Sequence, residues 1–168
     1  MRDTIYISGA ITDRYTGQPR EGWERDFNLA EERIKELGFK VLNPVKISRD
    51  LEVFFKAHCS DMEIARVTYL LEDLNVINEH SEKIAAIYVI GDYMEVINSA
   101  GVMAECALAR TLGIPVIIDN TGMTLLTYKK REGEPVNPPR SCRVQMHPFV
   151  DSDSTKVTLY DLIPKKDI

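Results

Sequence analysis

The chain has 168 residues, a net charge of −5 at pH 7 and an isoelectric point near 5.3. This length is enough for one domain with a substantial hydrophobic core. The acidic balance argues against a protein that binds nucleic acid through its charge. Since no apolar run approaches the roughly 20 residues of a membrane span, we expect neither a nucleic-acid partner nor a membrane.

The cysteines and histidines are scattered, and neither set has the spacing of a metal site. They are Cys59, Cys106 and Cys142, and His58, His80 and His147. Reduced thiols in the cytoplasm fit this pattern better than a disulfide framework or a zinc site. A strand follows the first two charged residues, so no signal peptide is predicted. We therefore expect a cytoplasmic protein without a metal.

The first elements alternate between strand and helix. Residues Thr4 to Ile7 read as a strand that ends at Ser8-Gly9, and residues 13–22 read as a polar loop. Apolar residues at helical spacing predict a helix from Trp23 to Leu37, which Gly38 ends.

The middle of the chain continues this alternation. Phe39 to Leu42 is predicted as a second strand, closed by Asn43-Pro44. Residues 50–78 are predicted to be helical, with a possible break near Cys59-Ser60-Asp61, where Ser60 or Asp61 could cap a new helix. The β-branched run from Ile84 to Ile90 predicts the third strand.

A polar loop over residues 91–98, a helix from Val102 to Leu112 and a strand from Ile114 to Ile118 complete the series. The order β-α-β-α-β-α-β predicts an open, mostly parallel Rossmann- or flavodoxin-like α/β sheet with helices on both faces. We assign this domain to residues 1–120. Residues 121–168 are predicted as an extension that packs on the same domain or on a neighbouring subunit.

The extension is predicted from turn residues and short apolar runs. Residues 121–130 could form a short helix, and the proline-rich residues 131–139 form a loop or arm. Residues 143–146 and 156–160 are predicted as short strands.

The segment from Ser99 to Glu105 is the strongest functional signal. It follows a predicted strand and begins a helix. In strand–loop–helix units of this kind, ligands bind at the carboxyl ends of the strands. Glu105 would then face a polar cleft as a catalytic carboxylate. The alternative is an ordinary helix start with a solvated glutamate.

Five segments in register resemble the nucleoside 2-deoxyribosyltransferase superfamily, which includes the deoxynucleoside 5′-monophosphate N-glycosidases. They are Tyr6-Ile7-Ser8-Gly9-Ala10-Ile11-Thr12, Leu42-Asn43-Pro44, Tyr69-Leu70-Leu71-Glu72-Asp73-Leu74, the third strand, and Ser99-x-Gly101-x-x-x-Glu105. The resemblance covers about residues 4–118. It implies a homo-oligomer and a reaction without a cofactor.

The resemblance also implies catalytic roles. Glu105 matches the glutamate that attacks the anomeric carbon and holds the sugar covalently, and Tyr6 matches the tyrosine that orients it. Asp73 matches the acid that protonates the departing base. Compared with the family pattern, residues 75–83 hold an insertion of about four residues, and Ala85-Ala86 stand where relatives usually carry an aspartate. Asp61 is therefore the competing choice for the acid.

Substrate binding is assigned to five positions. Ser99 matches a position that is an aspartate in relatives acting on free nucleosides and a serine in relatives acting on 5′-monophosphates. Backbone amides at strand ends and helix starts favour anions. These positions are Ser8, Gly9, Ile11, Ser99 and Gly101.

Other side chains could take part in binding. Arg14 could add positive charge near the phosphate. The segment from Gly91 to Asn98 is about two residues longer than in close relatives, so Asp92, Tyr93 or Asn98 could touch the base.

The resemblance implies cleavage of the N-glycosidic bond of a deoxynucleotide or deoxynucleoside, with transfer of the sugar to water or to another base. Two other functions stay open. One is a nucleotide sensor that has lost the acid, and the other is a glycohydrolase that acts on a ribonucleotide or on NAD.

Overall fold

A computed structural model describes residues 2–13, 15–16, 18–58, 62–91 and 93–118. Its core is a four-stranded, all-parallel sheet in the order β2-β1-β3-β4. The strands are β1 (Thr4–Gly9), β2 (Lys40–Leu42), β3 (Ile84–Ile90) and β4 (Val116–Ile118). The helices are α1 (Trp23–Glu36), α2 (Pro44–Ile47), α3 (Arg49–His58), α4 (Met62–Glu79), α5 (Tyr93–Asn98) and α6 (Ala100–Thr111). The predicted open α/β fold is confirmed, and the elements predicted after residue 118 lie outside the described residues.

Two apolar clusters lie on opposite faces of the sheet. On one face, α1 packs through Phe27, Ala30 and Ile34 against β1 and β3. On the other face, apolar side chains of α4, α5 and α6 pack against the same two strands. Both strands are therefore covered on two sides, which explains their nearly continuous apolar sequences. None of the helices in the described ranges is both long enough and apolar enough to cross a membrane.

The order of the strands places a crevice at the carboxyl end of the sheet. From β1 the chain crosses to β2 on one side, and then returns to β3 on the other side of β1. The helices that follow β1 and β3 therefore diverge onto opposite faces, and such a switch point is where open α/β sheets bind ligands. Ser8 pairs with Val89 in register, and Gly9 pairs with Ile90, so these residues lie at this crevice.

Two short helices differ from the sequence-based prediction. The segment after β2 forms α2, where the Asn43 side chain accepts a hydrogen bond from the backbone N–H of Val45 and Pro44 takes the first helical turn. Residues 93–98, predicted as a loop, form α5, which buries Val96 in the core. Both helices are too short for an apolar period to reveal them.

A buried carboxylate ties α1 to the end of β2. Asn43 donates a hydrogen bond to Glu31 at 2.7 Å, while Lys35 and Lys46 lie 2.5 and 2.8 Å from its oxygens. Burial by itself would raise the pKa of Glu31. The hydrogen bonds from Lys35, Lys46 and Asn43 outweigh burial and lower this pKa from 4.5 to about 2.

We expect this cluster to make the fold sensitive to acid. A carboxyl pKa that is lower in the folded state contributes stability above pH 4.5, and this contribution is lost as the pH falls towards 2. Because both lysines are more than half exposed, we expect about 2 kcal/mol rather than the full value of the shift. Urea unfolding should therefore show Glu31→Gln destabilised at pH 7 and by less than half as much at pH 3, where only part of the contribution remains. An equal loss at both pH values would contradict this account.

Candidate active site

Glu105 lies on the side of α6 that faces the sheet. It is spaced with Val102 and Ala109 at helical intervals, and all three residues are buried. Only 6% of Glu105 is exposed. The alternative of a solvated glutamate at an ordinary helix start is therefore wrong.

Two hydroxyl groups from β1 hold the Glu105 carboxylate. Tyr6 and Ser8 are two residues apart on this strand, so their side chains point to the same face of the sheet. The Tyr6 hydroxyl donates to Oε1 of Glu105 at 3.1 Å, and the Ser8 hydroxyl donates to Oε2. Each carboxylate oxygen therefore has its own donor, and the side chain is fixed in one orientation.

The position of Ser8 gives it a role that sequence reasoning missed. The predicted role was contact with substrate, whereas the structure places its hydroxyl on Glu105. The sequence did contain the information for this contact. Every second residue of a strand lies on one face, so Ser8 lies on the same face as Tyr6, which was already assigned to Glu105.

Asp73 reaches the same site from α4. Its carboxyl group interacts with the hydroxyl of Tyr6, so that hydroxyl lies near both Asp73 and Glu105. Oδ1 of Asp73 is buried and has no hydrogen-bond partner among the described residues. Helices α4 and α6 pack side by side near Leu70 and Gly101. The structure therefore brings together Tyr6, Asp73 and Glu105, while Asp61 lies outside the described residues.

Burial makes both carboxyl groups hard to ionise. Burial raises the pKa of Glu105 from 4.5 to about 8, the hydrogen bonds from Ser8 and Tyr6 oppose this rise, and the charge of Asp73 adds to it. Burial likewise raises the pKa of Asp73 from 3.8 to about 7. The hydrogen bond from Tyr6 opposes this rise in pKa, and the charge of Glu72 adds to it. Burial and the two carboxylates keep the pKa of Tyr6 well above 10, so its hydroxyl stays protonated.

Both carboxyl groups interact with the Tyr6 hydroxyl, so they titrate as a coupled pair. A single tyrosine hydroxyl can bridge them if Asp73 is protonated and donates to Tyr6, while Tyr6 donates to an ionised Glu105. The Ser8 hydroxyl is a second donor to Glu105 and stabilises its ionised form, which opposes the rise in pKa that burial causes. A carboxylate beside a carboxylic acid can act as a nucleophile and as an acid, the two groups that cleavage of a glycosidic bond through a covalent intermediate requires.

The other predicted binding residues lie at the start of α6 and just after β1. Ser99 caps α6, since its Oγ accepts a hydrogen bond from Val102 N–H at 3.4 Å, and within the described residues its own hydroxyl hydrogen has no acceptor. Gly101 lies in the first turn of α6. Ile11 follows β1, and its carbonyl oxygen accepts from Arg20 N–H at 2.7 Å.

Gly9 has a packing role at the end of β1. A Cβ atom at this position would lie 3.1 Å from the ring of Phe27 and 3.2 Å from the carbonyl oxygen of Ile90. With a larger residue here, the Phe27 ring or the β3 backbone would have to shift by a few tenths of an ångström.

The remaining candidates are placed only in part. Asn98 ends α5 and is exposed. Tyr93 begins the same helix, while Arg14 and Asp92 lie outside the described residues. Across the described part of the chain, no group of three or more His, Cys, Asp or Glu side chains could hold a metal ion.

A family model described as a domain of unknown function (DUF4406) matches residues 3–118, which include all the strands and helices described above. No curated protein and no solved structure matches the chain.

Proposed function

The chain belongs to the DUF4406 family, and we propose that it cleaves the N-glycosidic bond of a deoxynucleoside 5′-monophosphate or deoxynucleoside. The observation that carries this proposal is the pair of the buried Glu105 and the half-buried Asp73, which both interact with the hydroxyl of Tyr6. The resemblance of the sequence motifs to the nucleoside 2-deoxyribosyltransferase superfamily supports it.

In the proposed first step, an ionised Glu105 oxygen forms a bond to C1′ of the sugar. The bond from C1′ to the base nitrogen breaks, its electron pair goes to the base, and the base takes the proton of Asp73. A carboxylate suits this step because it stabilises an oxocarbenium-like transition state before it traps the sugar. The hydroxyls of Tyr6 and Ser8 keep the attacking group in place.

In the second step, an incoming acceptor releases the sugar. Water or another base attacks C1′, the bond between C1′ and Glu105 breaks, and the Asp73 carboxylate takes the proton of the acceptor. Hydrolysis and deoxyribosyl transfer differ only in this acceptor.

The test is incubation of the full chain with a panel of substrates, followed by chromatographic detection of free bases. The panel contains deoxynucleosides, their 5′-monophosphates, the matching ribonucleotides and NAD. We expect base release from at least one deoxy substrate. Release from the ribonucleotides or NAD alone would favour the alternative glycohydrolase. Binding of a deoxynucleotide without any release would favour the sensor, although the position of Asp73 beside Tyr6 argues that the acid is present.

We expect Ser99 to discriminate between phosphorylated and free substrates. Ser99→Asp keeps a good helix cap, so stability should be preserved, but its charge would repel a 5′-phosphate. If Ser99 donates to the phosphate, kcat/KM for the monophosphate should fall at least about tenfold, since such hydrogen bonds contribute roughly 1.5–3 kcal/mol. Activity on the free nucleoside should be unchanged or higher. Equal losses on both substrates would remove Ser99 from phosphate recognition.

A further inference from the structure

Arg20 lies at the carboxyl end of the sheet, between helices on its two faces. Its backbone N–H donates to the carbonyl oxygen of Ile11, just after β1. Its side chain lies 3.4 Å from Asp26 of α1 and 3.9 Å from Glu95 of α5. Glu95 is packed against Gly91, the residue after β3, where a Cβ atom would be 2.7 Å from its Oε2. The Arg20 guanidinium therefore lies at the crevice.

Arg20 is also within reach of a substrate that occupies the catalytic centre. Ser8, which donates to Glu105, pairs with Val89. Gly91 is two residues further along the chain, so it lies roughly 7 Å beyond this pair. A nucleotide is longer than this distance, and a substrate with its sugar at Glu105 can therefore place its base beside Arg20.

The guanidinium of Arg20 has too few acceptors. Both of its ion pairs are longer than the roughly 2.7–2.9 Å of a charge-assisted hydrogen bond, and each involves a different nitrogen. Its Nε atom is buried and has no hydrogen-bond partner among the described residues. A buried donor without an acceptor costs free energy, so a ligand that supplies acceptors to this side chain would be bound favourably.

The charges around Arg20 favour a neutral ligand over an anion. Arg25 also pairs with Asp26, at 3.6 Å, so the cluster contains two guanidinium groups and two carboxylates, and their charges cancel. A phosphate here would meet the carboxylates of Asp26 and Glu95 without an excess of positive charge to hold it. A nucleobase is neutral and carries oxygen and nitrogen acceptors, so it suits this position better.

We propose that Arg20 is a specificity-determining residue that recognises a 6-oxopurine base, guanine or hypoxanthine, by donating hydrogen bonds to O6 and N7. This proposal rests on the proposed function, which makes the ligand a nucleotide. O6 and N7 are adjacent acceptors on the edge of guanine away from the sugar, and an arginine side chain can donate to both at once. Adenine carries an amino group at position 6, which would face the guanidinium donor to donor. To bind the base, Arg20 turns from its long contacts with Asp26 and Glu95 towards the crevice.

The test measures binding of dGMP, dIMP and dAMP to the full chain by isothermal titration calorimetry. Glu105→Gln is the parent chain, so that no nucleotide turns over during the titration. The ligands dIMP and dAMP have the same sugar and phosphate and differ at position 6 of the base. We expect dGMP and dIMP to bind at least about 5-fold more tightly than dAMP, the lower end of the discrimination by an arginine that donates to both acceptors.

A second substitution in the parent chain assigns this preference to Arg20. Arg20→Met removes the donors, keeps an unbranched side chain and should abolish the preference for the 6-oxopurines. Arg25→Met is the matched control, because Arg25 also pairs with Asp26 but is 82% exposed, and it should keep the preference. A merely structural loss at Arg20 would weaken binding of all three nucleotides equally and leave their ratio unchanged.

Failure of dGMP to bind, equal binding of dIMP and dAMP, or a preference that Arg20→Met keeps would overturn the proposal. The ratio of kcat/KM for dIMP and dAMP in chains that retain Glu105 is a second measurement of the preference and should change in the same way. Base release without any dependence on Arg20 would overturn this proposal alone. A preference that depends on Arg20, in a chain that releases no base, would overturn only the proposed catalytic function.

Discussion

Glu105→Gln is expected to reduce base release by at least about 10³-fold, because an amide cannot form the covalent bond to the sugar. The substitution keeps the size of the side chain and an oxygen that can accept from Tyr6 or Ser8, so ligand binding should largely persist. Single-turnover assays of base release with a matched binding measurement check this. The matched control is Glu79→Gln, at the exposed end of α4, which should have wild-type activity.

The same substitution is expected to raise stability at alkaline pH. Folding raises the pKa of Glu105 from 4.5 to about 8, so the folded state binds this proton more tightly than the unfolded state does. The contribution of Glu105 to the free energy of unfolding is therefore most favourable below pH 4.5, and it is lost as the pH rises through 8. Glutamine cannot ionise, so Glu105→Gln should gain about 2–4 kcal/mol at pH 8 and little at pH 5.

Thermal melts of the wild type and Glu105→Gln over this pH range measure the difference. Activity within tenfold of the wild type would remove Glu105 from the nucleophile role. A melting temperature that changes equally at pH 5 and pH 8 would contradict the burial of an ionisable carboxyl group. The two measurements are independent, so the structure of the site and its chemistry are tested separately.

The strands and long helices were predictable because their sequences carry strong local signals. The run from Ile84 to Ile90 contains seven consecutive apolar residues, and the strand has these bounds in the structure. Gly38 was correctly predicted to end α1, since it adopts a φ of +92° and donates its N–H to the Lys35 carbonyl at 2.9 Å. Helix α5 was missed because six residues span less than two helical turns.

The site itself was predictable only in part, because its contacts join distant parts of the chain. Ser8 and Glu105 are 97 residues apart, and no local pattern shows that their side chains meet. The sequence could not decide whether Asp73 or Asp61 is the acid, since helical spacing does not show which carboxyl group contacts another residue of the site. Tertiary packing of α4 against α6, in the apolar cluster that includes Tyr6, places Asp73 beside Tyr6.

Asp73→Asn is expected to reduce release of natural bases by roughly 10²–10⁴-fold, the usual contribution of a general acid. A substrate whose base is alkylated on a ring nitrogen loses a neutral base and needs no proton from the enzyme. The variant should therefore retain much more activity on that substrate than on the natural one. Comparing the two losses by steady-state kinetics separates a missing acid from a damaged site.

The pH profile gives a second signature of the same role. For the wild type, kcat/KM should be bell-shaped, since the pair needs one proton and its two values lie near 7 and 8. Asp73→Asn should lose the alkaline limb, because no acid remains to ionise. Its acidic limb should remain, because Glu105 must still ionise before it attacks the sugar. If the variant keeps a wild-type profile and gains nothing from the better leaving group, the proton of the departing base comes from a residue other than Asp73.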